Sequence, residues 1–125
     1  MAENILIIED DAFLRELLGK KLSSSGYNVS EAIDGKKGLE LVDAIKPDLV
    51  LLDLLLPGVD GFEVLEKIKA NPMTASIPVI ILSNLGQKED VDKGLKLGAA
   101  DYMIKAQFTP EEIILKVQEI LKKVN

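Results

Sequence analysis

The sequence predicts an α/β fold: one parallel sheet of five strands with helices packed on both faces. Three observations predict it. Five strand-like segments alternate with five helix-like segments along the 125 residues, the order of parallel strands joined by right-handed helical crossovers. The first, third and fourth strand-like segments are nearly unbroken Ile, Leu and Val, as expected of strands buried on both faces. The segments between them space their apolar residues three and four apart, the period of an amphipathic helix.

Taken in order, Asn4 to Glu9 reads as the first strand, through Ile5-Leu6-Ile7-Ile8. The first helix carries Leu14, Leu17, Leu18 and Leu22 at helical spacing, and Gly26 stops it. Tyr27 to Ala32 is the second strand, and its mixed polar content predicts an edge position. Leu41, Val42 and Ile45 mark the second helix, which ends before Pro47. Asp48 to Asp53 is the third strand, through Leu49-Val50-Leu51-Leu52. Asp60 with Glu63 three residues on is a capping-box pattern and opens a third helix expected to bury Phe62, Leu65 and Ile68. Pro78 to Ser83 is the fourth strand; a proline at its start loses little. The fourth helix, about Gln87 to Leu97, has weak signals, with Val91 and Leu95 as its expected anchors. Ala100 to Ile104 is the fifth strand. The last helix has the strongest start, with Thr109 as N-cap, Pro110 at the first position and Glu112 reaching back. Its inner stripe is Ile113, Val117, Ile120, Leu121 and Val124.

Composition narrows the function. Acids outnumber bases by 21 to 15, for a formal charge of −6. That disfavours direct contact with nucleic acid, which requires a basic face. Histidine is absent, which removes the commonest general base and the Ser-His and Cys-His mechanisms. Cysteine is absent as well, so disulfides and thiolate metal sites are excluded. No apolar stretch approaches the roughly 20 residues that span a bilayer, and Met1-Ala2-Glu3-Asn4 lacks the pattern of a signal peptide. The expectation is one cytoplasmic domain over residues 1–125, with no membrane association and no effector domain.

A doubly wound (βα)5 sheet of the flavodoxin-like type has strand order 2-1-3-4-5, and its ligand crevice lies beyond the carboxyl ends of strands 1 and 3. That rule brings Glu9 and Asp10 beside Asp53, with Ser83 and Lys105 ending the two strands next to them. Like charges so placed need a cation or a proton between them, and clustered carboxylate oxygens suit Mg2+, with Mn2+ as a substitute. A carboxylate can also act as a nucleophile and form an aspartyl-phosphate. Phosphoryl transfer asks mainly for alignment and charge neutralisation, which carboxylates, an ammonium and a hydroxyl supply.

Four motifs in this order, Ile7-Ile8-Glu9-Asp10-Asp11 with Arg15 following, Asp53 to Gly61 with Pro57 and Gly58 between, Ile81-Leu82-Ser83, and Gly98 to Lys105, make the chain resemble the response-regulator receiver domains of two-component signalling. The resemblance covers essentially the whole length. It implies that Asp53 is the phosphoacceptor, Asp10 a direct Mg2+ ligand, and Glu9 a ligand acting through metal-bound water. It adds the backbone carbonyl of Leu55 to the metal shell and assigns Asp11 to capping the first helix. Ser83 and Tyr102 then form the switch pair, and Lys105 binds the phosphate. Two positions depart from the family. Asn84 stands where a small residue is usual and is expected to narrow access or add a hydrogen bond. Ala106 follows Lys105 where proline in a cis bond is usual; a non-proline cis bond costs about 2.5–4 kcal/mol, so trans is expected. Leu55 and Leu85 fall where receivers border the path of the attacking water, which implies slow self-dephosphorylation.

Each residue has a plainer reading. Asp53 alone is a strand-ending acid, Ser83 a loop hydroxyl, Lys105 a surface lysine, Tyr102 ordinary packing, and Pro57 a turn residue. Their coincidence at neighbouring strand ends favours the site. Other classes fail at named positions. A haloacid-dehalogenase-type phosphatase needs an acid at position 12, which is Ala, and a toprim-type nuclease needs one at position 55, which is Leu. A flavodoxin phosphate loop would meet three acids after the first strand. A phosphate-independent binding module has no need of Asp10, Asp53 and Lys105 together. The expected function is therefore a stand-alone receiver, not an enzyme, that takes a phosphoryl group from a histidine kinase or phosphotransfer protein. It would switch the surface of helix 4, strand 5 and helix 5 toward a protein target, as a monomer or a phosphorylation-linked dimer.

Overall fold

The computed structural model describes residues 2–124. Its strands are β1 (Asn4–Ile8), β2 (Asn28–Ala32), β3 (Leu49–Leu52), β4 (Val79–Ser83) and β5 (Asp101–Ile104). The helices are α1 (Ala12–Ser24), α2 (Gly35–Ile45), α3 (Gly61–Ala70), α4 (Lys88–Lys96) and α5 (Pro110–Val124), with a 3-10 turn at Lys105–Gln107. All strand pairs are parallel and the order is β2-β1-β3-β4-β5, as the sequence predicts. The strands are a residue or two shorter than predicted, because the terminal acids and Pro78 lie outside the paired ladders.

Alternation along the strands divides the core in two. Ile5, Ile7, Leu49, Leu51, Ile80 and Leu82 face α1 and α5, meeting Leu18, Leu22, Ile113, Val117 and Leu121. Leu6, Ile8, Val50, Leu52, Val79 and Ile81 face the other side, against Val42, Val64, Leu65 and Ile68 of α2 and α3. Each such side chain contributes about 1.5–3 kcal/mol of burial free energy, and the two layers together hold the strand ends in register. Among the described residues, no helix is long and apolar enough to cross a membrane.

Side-chain caps start the helices. Asp11 accepts from the Leu14 N–H, Asp34 from Lys37 and Asp60 from Glu63. Thr109 and Glu112 exchange the reciprocal bonds of a capping box, as predicted. Lys46 ends α2 in the left-handed region at φ 48°, a place where glycine is more usual. Two predicted contacts differ. Phe62 is only half-buried, its ring lying beneath the Lys93 ammonium at 4.3 Å. Leu95 is 46 % exposed and does not anchor α4. The buried residue of α4 is Gly94, whose bare backbone approaches Ile81 and Tyr102 so closely that a Cβ would lie 2.6 Å from the Ile81 Cδ1. The side chain of Val124, predicted on the inner stripe of α5, lies outside the described residues.

Candidate phosphoacceptor and metal site

The carboxyl ends of β1 and β3 are laced together by backbone. The Asp53 N–H donates to the Ile8 carbonyl, and the Glu9 N–H donates to the Ala32 carbonyl at the end of β2, both at 3.0 Å. The acids that follow the buried strands are thereby fixed at one edge. Glu9 and Asp53 are buried, at 3 % and 4 % exposure, whereas Asp10 is exposed. One carboxylate oxygen from each of the three lies within 4.8 Å of the others, which is the clustering predicted from strand order. Asp11 stands apart as the cap of α1.

Lys105, on the turn after β5, reaches into the cluster. Its ammonium lies 2.6 Å from Glu9 Oε1 and 2.9 Å from Asp53 Oδ2. The Leu55 N–H donates to Asp53 Oδ1 at 3.1 Å, and the Asp11 N–H donates to Glu9 Oε2 at 3.1 Å. Both buried carboxylates are thus paired on each oxygen, as buried charge requires. All described peptide bonds are trans, including Lys105–Ala106 as expected, and the lysine reaches the acids with that geometry.

Burial pushes the Glu9 carboxyl up to about 7, helped by the Asp53 charge and opposed by the hydrogen bond from Lys105. Burial draws the Lys105 ammonium down, but its bonds to Glu9 and Asp53 outweigh this and hold it above the usual lysine value. The folded state therefore binds more protons at Glu9 than the unfolded chain between about pH 4.5 and about pH 7, so this group's stabilisation declines as pH rises through that window. In EDTA, the urea midpoint is expected to be higher at about pH 5.5 than at about pH 7.5, and Glu9→Gln should flatten the difference. A midpoint that rises over this range in wild type, or a slope untouched in the variant, would contradict the Glu9 assignment.

Ser83 is fully buried at the end of β4, and its Oγ accepts the Leu85 N–H at 3.3 Å. Tyr102 pairs in register with Ile81 and is half-buried beside Gly94, its hydroxyl donating to the Leu85 carbonyl. Burial, with the charges of Asp90 and Asp53, pushes this phenol up to about 12. Asn84 is exposed and Leu55 is 54 % exposed; no side-chain hydrogen bond of Asn84 is formed among the described residues. One contributor escaped the sequence reading. Glu31 of β2 accepts from Arg15 Nε at 3.0 Å, while Arg15 Nη1 donates to the Glu9 carbonyl at 3.0 Å. No local motif marks Glu31, because its partner lies across the β1–β2 crossover.

A family model described as the response regulator receiver domain matches residues 5–118. The DNA-binding dual master transcriptional regulator RpaA of Synechocystis is 42% identical over 121 residues, covering 97% of this chain and 50% of the relative. The phosphate regulon transcriptional regulatory protein PhoB of Escherichia coli is 35% identical over 125 residues, all of this chain and 54% of that protein. The chain thus spans about half the length of these curated relatives. Among solved structures, the Francisella response regulator 1452 receiver domain has a TM-score of 0.90 at 30% identity, covering 98% of this chain and 99% of that one. A CheY-like receiver domain protein from Methanospirillum hungatei has a TM-score of 0.92 at 27% identity, covering 98% and 96%.

Proposed function

Because this chain belongs to the response regulator receiver domain family, we propose that Asp53 accepts a phosphoryl group in a Mg2+-dependent reaction and that the added charge switches a protein-binding surface. The reading rests on one observation above the others: three carboxylates from two strand ends converge within 4.8 Å, and a lysine ammonium bridges the two buried ones. That donor set is all oxygen and anionic, which fits Mg2+. Asp10, Asp53 and the Leu55 carbonyl would hold the ion directly and Glu9 through water. Bound Mg2+ would neutralise charge on the oxygens of the transferring group.

Asp53 contributes the nucleophile. A carboxylate oxygen attacks phosphorus as the bond to the donor breaks, and the bonding pair leaves with the donor's imidazole or acyl oxygen. The donor is a histidine kinase or phosphotransfer protein, since this chain has no histidine. Lys105 would leave Glu9 and pair with the incoming phosphate. Ser83 would turn from the Leu85 N–H toward a phosphate oxygen, and the Leu85 carbonyl that now holds Tyr102 would move with it. The surface of α4, β5 and α5 then shifts between two populated states. The relatives named as transcriptional regulators suggest that in a longer protein this surface governs DNA binding elsewhere in the chain, whereas a net charge of −6 argues against nucleic acid binding by this region itself.

Incubation with acetyl phosphate and Mg2+ should add the mass of one phosphoryl group, located at Asp53, and nothing to Asp53→Asn. No adduct in wild type, or an equal adduct in the variant, would overturn the proposal. Leu55 and Leu85 give a second test. Two leucines at the approach to the acyl phosphate would shield it from water, so Leu55→Asn combined with Leu85→Glu should lose the group several-fold faster than wild type. Equal or slower loss in the double variant would remove the shield.

A further inference from the structure

We propose that Arg15 is a positioning residue: by holding the Glu9 carbonyl it fixes the Glu9–Asp10 peptide plane and so aims the Asp10 carboxylate at the divalent cation. The inference rests on the metal-site reading above and deepens it. Asp10 is exposed, and among the described residues its carboxylate has no hydrogen-bond partner. With no partner to hold its rotamer, what the fold fixes is the Asp10 Cα–Cβ bond, and the backbone sets that. The peptide that carries it is clamped, because Arg15 Nη1 donates to the Glu9 carbonyl at 3.0 Å.

The guanidinium is itself held in place. Its Nε donates to Glu31 Oε1 at 3.0 Å, and the Arg15 side chain is only 14% exposed. Glu31 reaches the arginine across α1 at Gly19, where a Cβ would lie 3.1 Å from the other Glu31 oxygen. The fork thus spans two acceptors with fixed geometry, which a flexible ammonium reproduces poorly. On the opposite side, the Glu9 N–H is closed by the Ala32 carbonyl. Glu9 is constrained at its N–H, its carbonyl and both carboxylate oxygens, so the peptide leading into Asp10 has little freedom to tilt and the Asp10 Cα–Cβ bond keeps one direction. Outer partners of this kind orient metal ligands, and their loss typically costs about 10–100-fold in affinity.

The competing account is an ordinary ion pair between α1 and β2, worth little to the site. The two differ in sign. Removing a positive charge near a dication site should by Coulomb's law tighten binding, whereas losing the brace should weaken it. Mg2+ is titrated calorimetrically into the full chain as wild type, Arg15→Met and Arg15→Lys, with urea unfolding in EDTA alongside. Arg15→Met is expected to bind about tenfold more weakly, with Arg15→Lys between it and wild type. Binding by Arg15→Met as tight as wild type or tighter overturns the brace, as does Arg15→Lys falling below Arg15→Met. If Arg15→Met does not fold, Arg15→Lys decides: weaker binding supports the brace and equal binding overturns it. Wild type that binds no Mg2+ overturns the metal-site reading, and the brace falls with it.

Discussion

Lys105→Met is expected to destabilise the metal-free protein by about 3–5 kcal/mol above neutral pH, the range for breaking a buried ion pair by removing one partner. The ammonium lies 2.6 Å from Glu9 and 2.9 Å from Asp53, and both carboxylates are almost fully enclosed. Without it, two buried negative charges face each other with only backbone N–H groups for compensation. Glu9, already raised to about 7, would take up a proton more readily still. The loss should therefore shrink at acidic pH, where protonation substitutes for the missing lysine. Saturating Mg2+ should recover much of it, since a cation that binds only the native state stabilises by mass action. Urea midpoints of wild type and variant, with EDTA or Mg2+ at two pH values, check all three statements. Equal midpoints in EDTA at alkaline pH would show that the clamp contributes nothing.

Gly61→Ala is the second large effect. Gly61 opens α3, and its N–H donates to the Leu54 carbonyl at 3.0 Å. A Cβ there would lie 2.5 Å from the Asp53 carbonyl oxygen and closer still to the Leu54 Cα. Both are backbone atoms that cannot rotate aside. Overpacking generally costs about 1–3 kcal/mol, and a clash with main chain belongs at the upper end of that range. The strain falls on residues 53 and 54, so metal affinity should drop together with stability. Gly58→Ala is the control. Its φ of 75° is left-handed but nothing lies within 4 Å of the added carbon, so it should cost about 1–2 kcal/mol and leave the acids in place. If Gly61→Ala melts like Gly58→Ala and binds Mg2+ like wild type, the close approach is not limiting.

The sheet was legible because buried parallel strands announce themselves as unbroken Ile, Leu and Val, and because strand order follows from the crossovers. The caps Asp11, Asp60 and Thr109 were legible because capping chemistry is local. The contact between α4 and the sheet was not, since Gly94 packs by having no side chain, and apolar periodicity cannot register a missing group. Periodicity points to Val91 and Leu95 instead, of which Val91 is half-buried and Leu95 exposed. At the site, Glu9, Asp10 and Asp53 could be brought together from topology alone. The resemblance implies that Lys105 meets an incoming phosphate; before one arrives, its ammonium sits between the two buried carboxylates, a pairing the motifs do not announce. Crowded acids were expected to await a cation or proton, and much of that role falls to a residue of the chain itself. Arg15 and Glu31 are joined across a crossover by a pairing that spacing does not encode.

The bond from the Tyr102 hydroxyl to the Leu85 carbonyl also has a practical consequence. The chain contains no tryptophan and two tyrosines, so its intrinsic emission comes from Tyr27 and Tyr102 alone. A phenol tied to a carbonyl emits differently from a free one, and Tyr27, packed with the α1 and α5 layer, supplies a steady background. Rearrangement of the loop after β4 would thus be visible as a change in ultraviolet fluorescence, giving the domain an unlabelled optical reporter of its own state.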